Sequence, residues 1–264
     1  MNRLSHKISR YSGMMRSISN WPAYLKYKAG TTPERFTFDV RGLGKLAVER
    51  RALGPFRENF FDDLYFAKFP DSVLARLNGH PTMLDVGANV GFFALAAFTK
   101  FPKAKIFSFE PHPYCIGELD NYRKQFGQFD WTLVPQAMSK EKAVLQLTTN
   151  HPDDFTSTAS LIPHERHDHS FSVQADTLAA FLDAQQIEKV DYLKLDCEGA
   201  EYDILYNADK ETLQRIQSAC IEAHPSTVSK QSLGHLESFL QEQGFTTATL
   251  DANVATGMIY AWRK

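Results

Sequence analysis

The sequence predicts an α/β fold built on a mostly parallel sheet with helices on both faces, and three observations predict it. From residue 80 onward, apolar runs of strand length alternate with helical patterns, the order expected of right-handed strand–helix–strand crossovers. One run, "TMLDVGANVGFFAL" (82–95), stops on an acid and turns through two glycines into an apolar helical pattern. At 264 residues and 43% hydrophobic, the chain is long enough for one large domain and too apolar for disorder.

Two regions are expected: an N-terminal extension over 1–75 packed on the core, and the α/β domain over 76–264. The first is mixed, with strands at 35–40 and 45–50 and a helix at 58–69. In the second, "TMLDV" (82–86) is a strand and 91–100 a helix, "AKIFSFE" (104–110) a strand and 114–126 a helix, and "WTLVPQA" (131–137) a third strand. The period-2 alternation of "AVLQLTT" (143–149) and "SFSVQA" (170–175) suggests a hairpin pair. Helix 176–186, strand "VDYLKLD" (190–196), helix 199–206, strand "QSACIEA" (217–223) and helix 230–243 follow, and "FTTATL" and "GMIYAW" close the chain as two strands.

Net charge is -2, which gives no reason to expect a nucleic-acid partner. Cys115, Cys197 and Cys220 are scattered and odd in number, as in reduced thiols of a cytoplasmic protein. No apolar run approaches the ~20 residues of a membrane helix, and no secretory signal is evident. Residues 1–33 carry Arg3, Lys7, Arg10, Arg16, Lys26 and Lys28 and no acid. Such a segment is either a solvated basic arm or a weak contact to an anionic membrane surface.

In a parallel α/β sheet, ligands bind beyond the carboxyl ends of the strands, so the residues just after each strand carry the information. Gly87 and Gly91 allow close backbone approach, but the spacing is neither the phosphate loop nor the dinucleotide G-x-G-x-x-G. That spacing disfavours the alternative of an NAD-dependent oxidoreductase. Asp85 would repel a pyrophosphate and suit a positively charged or zwitterionic ligand. Glu110, ending the second strand, can accept both hydroxyls of a ribose. Gln136, after the third, could face an adenine edge. The three together match S-adenosylmethionine binding.

The chain resembles the FkbM methyltransferase family of class I S-adenosylmethionine enzymes. The residues that carry the resemblance are "DVGANVGFFAL" (85–95), "FEPHP" (109–113) with Asn121 downstream, "VDYLKLDCEGAEYDIL" (190–205) and "IEAHP" (221–225). The first two blocks occur in many methyltransferases, whereas K-x-D-x-E-G-x-E is far more particular. The resemblance implies a seven-stranded Rossmann-like sheet, S-adenosylmethionine as donor and methylation of an oxygen. The expected donor-binding residues are Asp85, Gly87, Ala88, Asn89, Gly91, Phe92, Glu110, Pro111, Gln136 and Ala137.

A hydroxyl acceptor is a poor nucleophile while protonated, so it needs a base or a metal that lowers its pKa. Lys194, Asp196, Glu198 and Glu201 surround one strand end, while Glu222 and His224 end the neighbouring strand. Asp196, Glu222 and His224 are the expected catalytic cluster, with Glu198 in support. Direct base catalysis is favoured, and a divalent ion such as Mg²⁺ is the open alternative. The segment 151–170 contains His151, His164, His167 and His169 among acids and hydroxyls. Without cysteines or a regular frame it reads as a lid or acceptor-binding loop rather than a zinc site. Its polar make-up suits a saccharide, a glycolipid or a related polyhydroxylated natural product. A nucleoside-binding protein without catalysis is the remaining alternative.

Overall fold

The computed structural model describes residues 3–29, 34–149, 169–251 and 257–264, and the side chains of 3–7, 29 and 251 are not described. The chain opens with helices α1 (Arg3–Ser17) and α2 (Trp21–Ala29), for which the sequence reading placed no element. A hairpin follows, β1 (Arg35–Val40) with β2 (Gly44–Glu49). The helix expected at 58–69 lies instead at α3 (Leu53–Phe60), with a short α4 at Asp71–Ala75. Phe60, Phe61, Tyr65, Phe66 and Phe69 mimic helical spacing and are all buried. Asp63 is left-handed, at φ 53°, and breaks any helix through them.

The core contains β3 (Thr82–Val86), α5 (Phe92–Lys100), β4 (Lys105–Phe109), α6 (Pro113–Gln125) and β5 (Asp130–Val134). The third strand is shorter than expected, because Pro135 offers no N–H to the ladder. The chain leaves the sheet there, and β6 (Ala137–Met138) joins β7 (Ala143–Thr149) and β8 (His169–Asp176) in a separate three-stranded sheet. β7 and β8 pair antiparallel, from Ala143↔Ala175 to Thr149↔His169. Then come α7 (Leu178–Ala184), β9 (Tyr192–Leu195), α8 (Glu201–Tyr206), α9 (Lys210–Arg215), β10 (Ser218–Ala223), α10 (Leu233–Glu242), β11 (Thr246–Asp251) and β12 (Gly257–Trp262). Helix α9 has no counterpart in the sequence reading.

The main sheet has seven strands in the order β5-β4-β3-β9-β10-β12-β11. β5, β4, β3, β9 and β10 are parallel, and β12 runs antiparallel between β10 and β11. Counted along the chain, the core strands run 3-2-1-4-5-7-6, so the order reverses between β3 and β9 and opens a crevice at their carboxyl ends. Alternation along the strands builds two cores. Met83, Ile106, Tyr192 and Cys220 face a layer containing α5, α6 and the N-terminal elements. Leu84, Phe107, Leu193 and Ile221 face α7, α8 and α10. The first layer includes Met14 of α1 and Ile18 just beyond it, Tyr24 and Tyr27 of α2, and Phe56 and Phe60 of α3, with Phe92 and Phe93 of α5. Phe56, Tyr65 and Phe66 of this region pack directly on Phe92 and Phe93 of the helix that follows β3.

Candidate active site

The loop after β3 is stitched to its neighbours by the backbone. The amides of Gly87 and Ala88 donate to the carbonyl of Phe109, at 3.1 and 2.9 Å. Gly87 has φ 76°, and a Cβ on it would collide with the carbonyl oxygen of Asp196 at the end of β9. Gly91 has φ 89°, and a Cβ there would lie 2.7 Å from the Trp131 ring. Both glycines therefore permit close approach of protein to protein, which adds to the ligand-centred reason the sequence suggested.

Two adjoining cavities open on this crevice. The first is lined by Gly87, Asn89, Glu110, Pro111, Gln136 and Ala137, with Met138 and Leu147 as apolar wall. The second has Ala88, Asn89 and Phe92 on one side and Glu222 and His224 on the other. Gly87, Asn89, Asp196 and Glu198 line both. Of the sequence-selected residues, Asp85 and Gly91 line neither.

Asp85 lies beneath the loop, fully buried. Ser108 Oγ donates to its Oδ2 at 3.1 Å, and Lys194 Nζ sits 3.4 Å from its Oδ1. Lys194 also donates to the Gly87 carbonyl and lies 3.5 Å from Asp196 Oδ2. Burial opposes its charge, but Asp196 and Asp85 outweigh that and hold the ammonium above its usual pKa range. The cation that Asp85 faces is thus a lysine of the protein, and the β3 and β9 ends are tied together by charge.

Glu110 is buried at the base of the first cavity. Its Oε2 accepts from the Asn89 amide at 2.7 Å, and its Oε1 from the His112 amide at 2.8 Å. Burial nonetheless raises its pKa to about 7. Each oxygen keeps a second lone pair for a ligand.

In the second cavity, the ligating atoms of Asp196, Glu222 and His224 all lie within 4.8 Å of one another. His224 Nε2 is 3.9 Å from Asp196 Oδ1 and 3.5 Å from Glu198 Oε2. Glu198 is left-handed, at φ 53°, and Gly199 follows at φ 105°. Burial pushes the carboxyls of Glu222 and Glu198 up to about 8 and about 7, helped by the charge of Asp196.

Glu201, passed over as a site residue, organises this cluster. It is fully buried; its Oε1 accepts from the His224 amide at 2.7 Å and contacts His224 Nδ1 at 2.9 Å. Its Oε2 accepts from the Gly199 amide at 2.9 Å. Burial alone would depress the imidazole pKa, but the Glu201 bond and the charges of Glu201, Asp196 and Glu198 raise it to about 9. The spacing E-x-x-E in the quoted motif was the available signal.

The N-terminal region also reaches the site. Pro55, Glu58, Asn59 and Tyr65 line the second cavity. Tyr65 donates its hydroxyl to Asp196 Oδ2 at 2.8 Å. Nothing in the sequence pairs residues so far apart. His151, His164 and His167 lie outside the described residues, while His169 begins β8.

Among solved structures, the chain is similar to a SAM-dependent methyltransferase from Agrobacterium tumefaciens, at 10% identity and a TM-score of 0.47, covering 89% of this chain and 71% of that one. Among curated proteins it is 28% identical over 203 residues to methyltransferase sdnD of Sordaria araneosa, covering 65% of this chain and 76% of that protein. It is 27% identical over 210 residues to methyltransferase 1 of Beauveria bassiana (strain ARSEF 2860), covering 73% and 80% respectively. The profile of the methyltransferase FkbM domain matches residues 85–247, more than half of the sequence. The chain belongs to the FkbM family of S-adenosylmethionine-dependent methyltransferases.

Proposed function

We propose that this methyltransferase acts on a hydroxyl of a saccharide, a glycolipid or a related polyhydroxylated natural product. The observation that carries the reading is the meeting of the two cavities at Gly87, Asn89, Asp196 and Glu198. One cavity has the groups to hold a nucleoside, and the other is walled by carboxylates and an imidazole. S-adenosylmethionine supplies an already activated methyl group, so positioning of the acceptor provides much of the rate.

In this reading Glu110 accepts from the ribose, Pro111, Gln136 and Ala137 flank the base, and Gly87, Ala88, Asn89 and Phe92 border the amino-acid end. Asp85 and Gly91 support the loop from behind. The acceptor's proton passes to Asp196, whose carboxylate lies between Lys194, Tyr65 and His224. With a pKa near 9, His224 is cationic at neutral pH and orients Asp196. Glu222 and Glu198, held partly protonated by burial, can donate to acceptor oxygens. The 151–170 segment, which up to residue 168 lies outside the described residues, is proposed to contact the acceptor; β7, which precedes it, lines the first cavity through Leu147.

A second reading has one specific observation behind it. Asp196, Glu222 and His224 are close enough to hold a divalent cation such as Mg²⁺ or Mn²⁺. Glu201 on His224 Nδ1 and Tyr65 on Asp196 would then be the outer hydrogen bonds that orient metal ligands.

Labelled donor incubated with polysaccharide and lipid extracts of the source tests the acceptor class. Asp196→Asn and His224→Ala should lower turnover ~10²–10⁴-fold and ~10-fold or more, respectively, while sparing donor binding. Activity that survives EDTA supports the base; activity lost to EDTA and restored by Mg²⁺ or Mn²⁺ supports the cation. Full activity in Asp196→Asn, Glu222→Gln and His224→Ala would overturn both and put the chemistry elsewhere in the chain.

A further inference from the structure

Helix α1 presents an apolar face that the fold leaves uncovered. Ile8, Tyr11 and Met15 are 63%, 43% and 44% exposed. Their spacing of three and four residues places them on one stripe of the helix. Only two other large hydrophobic side chains among the described residues are comparably exposed, Val144 and Val228, so the feature is concentrated on this helix.

The rotation of α1 is set from the other side. Met14 and Ile18 are buried in the aromatic core. Gly13 sits against the backbone of Phe61, where a Cβ would strike the Phe61 carbonyl. Arg10 grips Asp62 with bonds of 2.6 and 2.8 Å. The contacts of Arg10, Gly13 and Met14 therefore turn the stripe outward.

Charge indicates what meets it. Residues 1–33 hold six basic residues and no acid, in a chain whose net charge is -2, and of the six Arg10 is taken up by Asp62. Arg16 lies beside Met15 on the exposed side of α1, and Lys26 and Lys28 of α2 are exposed. A helix that combines an exposed apolar stripe with cations and no acids fits an anionic lipid surface, where the apolar side chains enter the headgroup boundary and the cations meet lipid charge. No helix among the described residues is long and apolar enough to cross a membrane, so the contact is a surface one. We propose that α1 docks this enzyme on an anionic membrane surface through Ile8, Tyr11 and Met15. Such docking would bring a lipid-borne acceptor to the enzyme, but it stands independently of the acceptor's identity.

The test needs neither donor nor acceptor. The full chain is sedimented with vesicles of phosphatidylcholine mixed with phosphatidylglycerol, and with vesicles of phosphatidylcholine alone. It should pellet with the mixed vesicles, less with the neutral ones, and less again as salt is raised. Ile8→Ser with Met15→Ser should weaken binding by about tenfold or more. Arg16→Glu should weaken it by about fivefold or more. Val144→Ser with Val228→Ser should leave it unchanged. These positions are exposed, so thermal melts should match the wild type and confirm folding. Equal pelleting of the double variant and the wild type would overturn the proposal. So would sedimentation equilibrium showing that the stripe pairs two copies of the chain and that the paired form ignores vesicles.

Discussion

Replacing Glu201 by Gln keeps the shape of the side chain and removes its charge, and the structure allows the cost to be worked out. The carboxylate accepts from the His224 amide and Gly199 amide and holds His224 Nδ1, all while fully buried. A glutamine has one acceptor oxygen, so its NH₂ must face either His224 or the Gly199 N–H. A buried donor left without an acceptor costs about 1–3 kcal/mol. The charged bond to the imidazolium is lost as well. The rise of His224 from its usual 6.5 to about 9 represents roughly 3 kcal/mol of preference for the imidazolium, much of it due to Glu201. Because the folded-state value is raised, this stabilisation is complete below pH 6.5 and disappears as pH rises through about 9. Urea denaturation should therefore show Glu201→Gln destabilised by about 3–5 kcal/mol near pH 6 and only about 1–3 kcal/mol near pH 10. The His224 ring, followed by NMR, should titrate well below the wild-type value. An equal loss at both pH values, with the His224 titration unmoved, would refute the role assigned to Glu201.

Glu110→Ala should weaken binding of S-adenosylhomocysteine by roughly 1.5–3 kcal/mol in calorimetry, and unchanged affinity would remove Glu110 from the donor site. Gly87→Ala should cost at least roughly 1–3 kcal/mol of stability, because the left-handed backbone at φ 76° and the Asp196 carbonyl both oppose a Cβ; a variant as stable as wild type in urea would contradict the close approach. Burial raises the Glu222 carboxyl from 4.5 to about 8, so the folded state loses stability as pH climbs through that interval. Glu222→Gln should accordingly melt higher than the wild type near pH 9 and no higher near pH 4; parallel melting curves across that range would show that Glu222 carries no such burden.

Much of the fold was legible because its signals are local. β3, β4, β9 and β10 are short runs dominated by apolar residues, and such runs between helical patterns mark buried parallel strands. The residues at their carboxyl ends follow directly, which is why Glu110, Asp196, Glu222 and His224 could be singled out in advance. Strand β5 ended early at Pro135 for a reason that is also local, the missing N–H. Helices α1 and α2 were not legible. Short helices draw most of their stability from burying a face, and Met14, Ile18, Tyr24 and Tyr27 find that face only on α3 and the β1–β2 hairpin. The same holds for the region around Asp63, where periodic aromatic residues serve a packed turn instead of a helix.

The remaining features of the site arise from contacts between distant parts of the chain. Asp85 read alone was an acid waiting for a cation, and the parallel pairing of β3 with β9 supplies Lys194. Glu201 read alone was a helix-start acid, and the parallel pairing of β9 with β10 brings His224 onto it. Glu58 and Tyr65 reach the second cavity because α3 and the segment after it pack on α5, Phe56 against Phe92 and Tyr65 against Phe93. By itself the sequence determined which side chains stand at the strand ends, since a period of two and a run of apolar residues are written along one segment. Which charge neutralises which was decided only in the folded chain, because electrostatic pairing depends on separations of a few ångströms, and strand order and helix packing together decide which groups come that close.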